Sequence, residues 1–219
     1  LVPLLFALGE RLDRVVISHQ DSDHSGGANS VLKMQPQADV LTSIPSDHLL
    51  RMTHPMQTCT AGQKWQWDGV YFSVLHPQQA DYVKKFKPNA LSCVLRIESA
   101  SGKSALLVGD IEATQENQLV QSGVNLKSDW LLVPHHGSAT SSTQSFLKAV
   151  SPSIAWVQAG YRNRFGHPRQ DVIARYGALD IRVFQSIWCG ASVWQSDKPE
   201  RMRCVREEQR RYWHHATPP

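Results

Sequence analysis

Ser18-His19-Gln20-Asp21-Ser22-Asp23-His24-Ser25-Gly26-Gly27 sets two histidines and two aspartates within six consecutive positions. Directly before it runs Leu12-Asp13-Arg14-Val15-Val16-Ile17, whose β-branched residues predict a short buried strand. Directly after it, Gly26-Gly27 lets the backbone pass close to something bulky or charged. Four ligand-type side chains therefore sit on a loop at a strand end, ahead of a predicted helix. A strand end holds its loop still, which a ligand set requires. Imidazole mixed with carboxylate suits zinc, manganese or iron better than calcium or magnesium.

Working outward, 219 residues suffice for one domain with a real core. No run of eighteen apolar residues occurs, so no membrane-spanning helix is predicted. Leu1 to Leu8 is apolar but short, lacks a basic front and reads as a packed helix. The formal net charge of +4 is mildly basic and favours a polyanionic partner. Cys59, Cys93, Cys189 and Cys204 have no metal-site spacing. Their even number permits disulfides, which sequence cannot pair.

Further strands are expected at 38–43, 91–97, 104–108, 130–133, 154–158, 180–185 and 190–195. Asp68-Gly69 between two aromatic-rich runs predicts a hairpin over 65–75. Residues 45–56, with His48 and His54, read as a surface loop, and 78–89 as an exposed one. Helices are expected at 28–34, at 111–119 with Glu112 and Glu116 on one face, from the Ser141-Ser142-Thr143 caps through Val150, and at 169–177. Strand–helix alternation dominates the later chain, and the class expected is α/β, a sheet core with helices outside. Residues 198–219 form a basic, aromatic tail after a domain over 1–197.

Ligand-type residues recur at predicted strand ends. Asp110 follows Ala105-Leu106-Leu107-Val108-Gly109, and His135 and His136 follow Leu131-Leu132-Val133-Pro134. His167 follows the 154–158 strand by one loop. Ligands gathered along one sheet edge make a shared site, in which an aspartate can bridge two metals and histidines complete their shells.

The pattern resembles the metallo-β-lactamase fold, whose loop reads H-x-H-x-D-H. Here it is His19-Gln20-Asp21-Ser22-Asp23-His24, with Asp21 at the second histidine, while Asp110 matches the bridging aspartate and the His135-His136 pair the last histidine. More narrowly, Asn89-Ala90-Leu91-Ser92, Val108-Gly109-Asp110-Ile111-Glu112 and Pro134-His135-His136-Gly137-Ser138 resemble the C-terminal domain of the ComEC family of DNA-uptake channel proteins. The resemblance covers nearly the whole chain. Asn89 stands where the wider fold carries a histidine, and His76 is nearby in a different context.

The resemblance implies an αββα sandwich lacking its first strands, and a metal-dependent phosphodiesterase or nuclease that degrades the DNA strand not taken up. It implies two divalent ions, manganese or zinc, one held by Asp23, His24 and Asp110, the other by His19, Asp21 and Asp110. Either His135 or His136 adds a ligand, and the other contacts phosphate or protonates the leaving oxygen. His167 is a further ligand or acid, and Asp23, His136 and His167 are the candidate catalytic residues. Extra carboxylate at Asp21 moves preference toward manganese. Arg162, Arg164 and Arg169 around His167 are the candidate DNA contacts. Implied partners are DNA, single strand or duplex, the membrane channel part of the same protein and other DNA-uptake machinery. The implied location is the bacterial inner membrane, with this domain on the periplasmic side. Hydrolysis of another phosphodiester or a small ester, and DNA binding without catalysis, stay open beside this reading.

Overall fold

The structure, a computed structural model, describes residues 2–209 and Tyr212. Four layers build it, and alternating side chains along the strands hold them together. A small parallel sheet comprises β1 (Arg14–Ile17), β2 (Asp39–Thr42) and β3 (Gln57–Thr58), in that order. One face of it buries Ile17 and Val40 with Ala28 and Leu32 of a helix. Its other face turns Leu41 onto Val74, Cys93 and Leu95 of a second, larger sheet. This is the period-2 alternation of a strand buried on both sides. This half also carries α1 (Val2–Leu8), α2 (Ser22–Ser25), α3 (Ala28–Met34) and α4 (Leu49–Thr53), of which α3 and α4 pack on the outer face. Within the predicted loop 45–56, α4 forms because the His48 side chain accepts from Leu50 N–H and caps it.

The large sheet has seven strands. The antiparallel half is β4 (Lys64–Trp67), β5 (Val70–His76) and β6 (Val94–Glu98), followed by β7 (Ser104–Leu107). The parallel half runs from β7 through β8 (Trp130–Leu132) and β9 (Ile154–Val157) to β10 (Arg182–Gln185). Its outer face buries Leu106, Leu131, Ala155 and Val157 beneath α5 (Ala113–Gln121), α6 (Gln144–Val150) and α7 (Gln170–Gly177). The stack is helix, sheet, sheet, helix, the sandwich expected. Because β7 to β10 are parallel, their C-terminal ends share one edge, where Asp110, His135, His136 and the His167 loop leave the sheet.

Several expectations need correction. Residues 78–89 are not one exposed loop: two 3-10 turns, Gln79–Val83 and Pro88–Leu91, occupy most of them. Asp81 is buried there because its carboxylate accepts from Gln78 N–H and pairs with Lys84. The strand expected at 91–97 consequently starts later, at Val94. Glu112 and Glu116 do not share a helical face: Glu112 is the N-cap of α5, and Glu116 is fully buried.

The C-terminal part is ordered further than a tail. After α8 (Ser186–Cys189), β11 (Ser192–Trp194) pairs antiparallel with β12 (Met202–Cys204), and α9 (Val205–Glu208) follows. The expected boundary at 197/198 falls in the turn of this ribbon. Arg210, Arg211 and Trp213 lie outside the described residues. Disulfides join Cys59 to Cys93 and Cys189 to Cys204.

Candidate metal centre

The ligand loop is shaped by its own backbone. His24 and Ser25 N–H both donate to Asp21 carbonyl, at 2.9 and 2.8 Å, and Ser25 Oγ donates to Gln20 carbonyl. That single turn, α2, follows β1 across the short link 18–21 and swings Asp23 and His24 over the sheet edge. Asp110 arrives from the end of β7 through Gly109, which takes φ +55°. A Cβ there would lie 3.0 Å from Ser92 and 3.1 Å from Ser18, so the close approach of three chain segments needs glycine. Ser92 Oγ accepts Asp110 N–H at 3.0 Å. His135 and His136 follow β8 in left-handed conformations, φ +48° and +54°, a cost of about 1–3 kcal/mol each that the surrounding contacts sustain.

These segments bring Asp23, His24, Asp110 and His136 together, with one ligand atom of each within 4.8 Å of the others. His24 Nε2 lies 3.2 Å from Asp110 Oδ1, and His136 Nε2 lies 3.2 Å from Asp23 Oδ2 and 3.5 Å from Asp110 Oδ2. The two Nε2 atoms are 3.3 Å apart. Each ring is steered from behind: His136 Nδ1 donates to Gln158 carbonyl at 2.7 Å, and His24 Nδ1 meets Ser18 Oγ at 3.1 Å. Rear hydrogen bonds that aim ring nitrogens inward are the usual support of ligating histidines. The centre borders a cavity of about 290 Å3 with an apolar wall of Val16, Leu95, Leu107 and Leu132.

The electrostatics agree with this geometry. Burial alone would raise Asp110, yet hydrogen bonds from His136 and His24 overrule it and hold the carboxyl well below the usual range. His136 is pushed up to about 9, first by its hydrogen bond to Asp110 and against burial. Positive charge is thus favoured beside a buried anion, and two imidazole nitrogens and two carboxylates converge on one point. That donor set fits a divalent transition ion.

The other expected ligands stand beside this group. His19 is 1% exposed, its Nε2 has no hydrogen-bond partner, and Asp21 Oδ2 lies 3.6 Å away. Burial, then repulsion from His24, lowers His19 to about 4, so it stays a neutral donor. His135 Nε2 is 3.9 Å from Asp110 Oδ2 and 3.3 Å from Asn89 Nδ2. His167 packs its ring 5.9 Å from that of His135, on the rim of the site, and burial lowers it first. Arg162, Arg164 and Arg169 are exposed on the same rim loop, the first two lying over Tyr161 and Phe165. His76 is buried and donates to Ala90 carbonyl, away from the centre. Reading the sequence alone missed the supporting Ser18, Ser92 and Gln158. Only Ser18 and Ser92, inside motifs already singled out, carried any signal.

Comparison with known proteins places the chain. No family model matches it. It is 40% identical to competence protein ComA of Neisseria gonorrhoeae over 193 residues, 87% of this chain and 26% of that protein. It is 32% identical to ComE operon protein 3 of Bacillus subtilis over 197 residues, 85% of this chain and 25% of that protein. The chain thus spans about a quarter of the length of the curated relatives it matches. Among solved structures, a single-site variant of the CmlA β-hydroxylase of Streptomyces venezuelae superposes with a TM-score of 0.52 at 12% identity, covering 80% of this chain and 43% of that one. Structures described as a metallo-hydrolase and a metallo-β-lactamase fold protein match at lower TM-scores, 0.49 and 0.47. Over the region matched, with its helix–sheet–sheet–helix stack, the chain belongs with this part of the ComEC family.

Proposed function

We propose that this domain is a metal-dependent phosphodiesterase that cuts DNA during uptake and degrades the strand not taken up. The convergence of Asp23, His24, Asp110 and His136 on one point carries the reading. These four would hold one divalent ion, manganese or zinc, and His19 and Asp21, sharing Asp110, would hold a second. Such ions supply Lewis acidity and an activated water. The protein's own part would be positional: Ser18, Ser92 and Gln158 would aim the ligands, the apolar wall of the cavity would limit water, and His167 on the rim would give a proton to a leaving oxygen. Arg162, Arg164 and Arg169 would contact flanking phosphates.

Residues 1–197 would form the hydrolase domain, with the Cys189–Cys204 disulfide fastening the start of the basic segment to it. Two disulfides support a periplasmic position beside the membrane channel part of the same protein, since such bonds persist in oxidising compartments. The test is to load purified protein with manganese or zinc and incubate it with labelled single- and double-stranded DNA and a small chromogenic phosphodiester. Metal-dependent loss of full-length DNA supports the proposal. Cleavage of the small ester alone would redirect it to another substrate, and DNA binding without cleavage of either would sink the hydrolase reading.

A further inference from the structure

Glu112 and Thr140 take no part in the cluster above, yet both touch His135. Thr140 Oγ1 donates to Glu112 Oε1 at 3.1 Å. Backbone geometry locks the two together, since Ala113 N–H, next to Glu112, donates to Thr140 carbonyl at 2.9 Å. His135 Nδ1 lies 3.2 Å from Thr140 Oγ1 and 3.4 Å from Glu112 Oε1. On its far side Nε2 lies 3.3 Å from Asn89 Nδ2. The main chain of His135 is pinned as well: its N–H donates to Gly109 carbonyl at 3.1 Å, and its carbonyl accepts Ser138 N–H at 2.8 Å.

The donor and acceptor roles of the neighbours of His135 point to the ring nitrogen that carries the proton. An ionised carboxylate only accepts, so Glu112 needs a donor at Nδ1. The single Thr140 hydroxyl proton is directed at Glu112 rather than at Ser138 Oγ, 3.1 Å away, because the carboxylate can only accept whereas Ser138 can donate, so toward His135 the Thr140 oxygen only accepts. Asn89 Nδ2 is a donor, so it needs a lone pair at Nε2. All three neighbours ask for the same form, with hydrogen on Nδ1 and the lone pair on Nε2. Free imidazole side chains in water favour the opposite form, so the neighbours do the selecting.

We infer that Glu112, acting with Thr140, is a positioning residue that fixes His135 in its Nδ1–H tautomer and turns the Nε2 lone pair toward Asp110. The ring thereby becomes a donor for a divalent cation at the edge of the cluster. Its bearing on hydrolysis rests on the proposed function; the tautomer does not.

The experiment therefore reads the tautomer directly. Metal-free protein labelled with 15N-histidine is observed by long-range 1H–15N correlation NMR at alkaline pH, and His135 is assigned by the signal that vanishes in H135N. In the unmodified chain His135 should show a protonated Nδ1 and a bare Nε2. The E112Q variant, whose side-chain oxygen still accepts, should keep that pattern. The E112A variant should shift it to Nε2–H, because Ser138 then donates to Thr140, Thr140 turns its own proton to the ring, and the Asn89 amide rotates to present its oxygen to Nε2. A His135 found with hydrogen on Nε2 in the unmodified chain overturns the inference, whatever the variants do. Persistence of Nδ1–H in folded E112A overturns the assignment to Glu112. Since no metal and no substrate is present, failure here leaves the hydrolase reading standing.

Discussion

Asp110 is the residue on which the centre turns, because it faces His24 and His136 at once from a site only 5% exposed. Asp110→Ala should abolish tight binding of divalent metal and all metal-dependent hydrolysis, with the fold retained. Metal analysis after dialysis and circular dichroism check this, and a folded variant with near-normal metal content would refute the cluster as a site. The Asp110–His136 pair also predicts a pH dependence for metal-free protein. His136 rises from 6.5 to about 9 on folding, so its contribution to stability is complete below 6.5 and is lost as pH climbs through 9. The thermal midpoint of metal-free protein should fall over that window, and His136→Asn should flatten the fall. The four residues that the structure brings together stood out in the sequence because their types are chemically narrow and their segments follow apolar runs. The choice between His135 and His136 was not, since it depends on two positive-φ residues that point neighbouring rings apart.

At the scale of elements, Glu116 shows where periodicity misleads. A charged residue in a helix pattern reads as solvated, but this carboxylate accepts Ser142 and Thr143 N–H and anchors the turn before α6 to α5. Arg175 of α7 closes the same turn by donating to the carbonyls of Ser141 and Ser142. Glu116→Ala leaves two buried N–H groups unsatisfied and should cost about 2–4 kcal/mol, measurable by denaturant unfolding. Burial raises Glu116 despite those hydrogen bonds, so its share of stability is greatest in acid and declines as pH rises through the raised value. Glu116→Gln should remove that slope. The strands were legible for the opposite reason: Leu106, Leu131 and Ala155 alternate with Leu107, Leu132 and Trp156 between two packed faces. The 3-10 turns at 79–91 were not, because they owe their shape to Asp81 capping and to His76 holding Ala90, contacts that no local pattern announces.

At the scale of the whole molecule, the parallel strands put the Asp/His cluster and the basic loop on one sheet edge, and substrate binding should report that placement. Arg162 and Arg164 are exposed and lie over their own neighbours' rings, at 5.3 and 4.8 Å. Arg169 reaches Asp171 only at 3.9 Å, with both side chains more than half exposed, so its charge remains available to a polyanion. Each phosphate neutralised releases counterions, and for a single strand the slope of log affinity against log salt changes by about 0.7 per contact. Replacing Arg162, Arg164 and Arg169 by alanine should therefore weaken DNA binding and reduce that slope by about 2. Metal content should stay intact, because none of the three touches the cluster. Hydrolysis of a small phosphodiester should suffer far less, since it needs the centre but no extended phosphate track. Titrating labelled DNA at several salt concentrations, with the small substrate assayed in parallel, separates the cases. Equal losses on both substrates would move these arginines to the reacting centre. No loss on either would take the rim loop out of the DNA path and leave the cleft around Arg182, Lys198 and Arg201 as the place to look next.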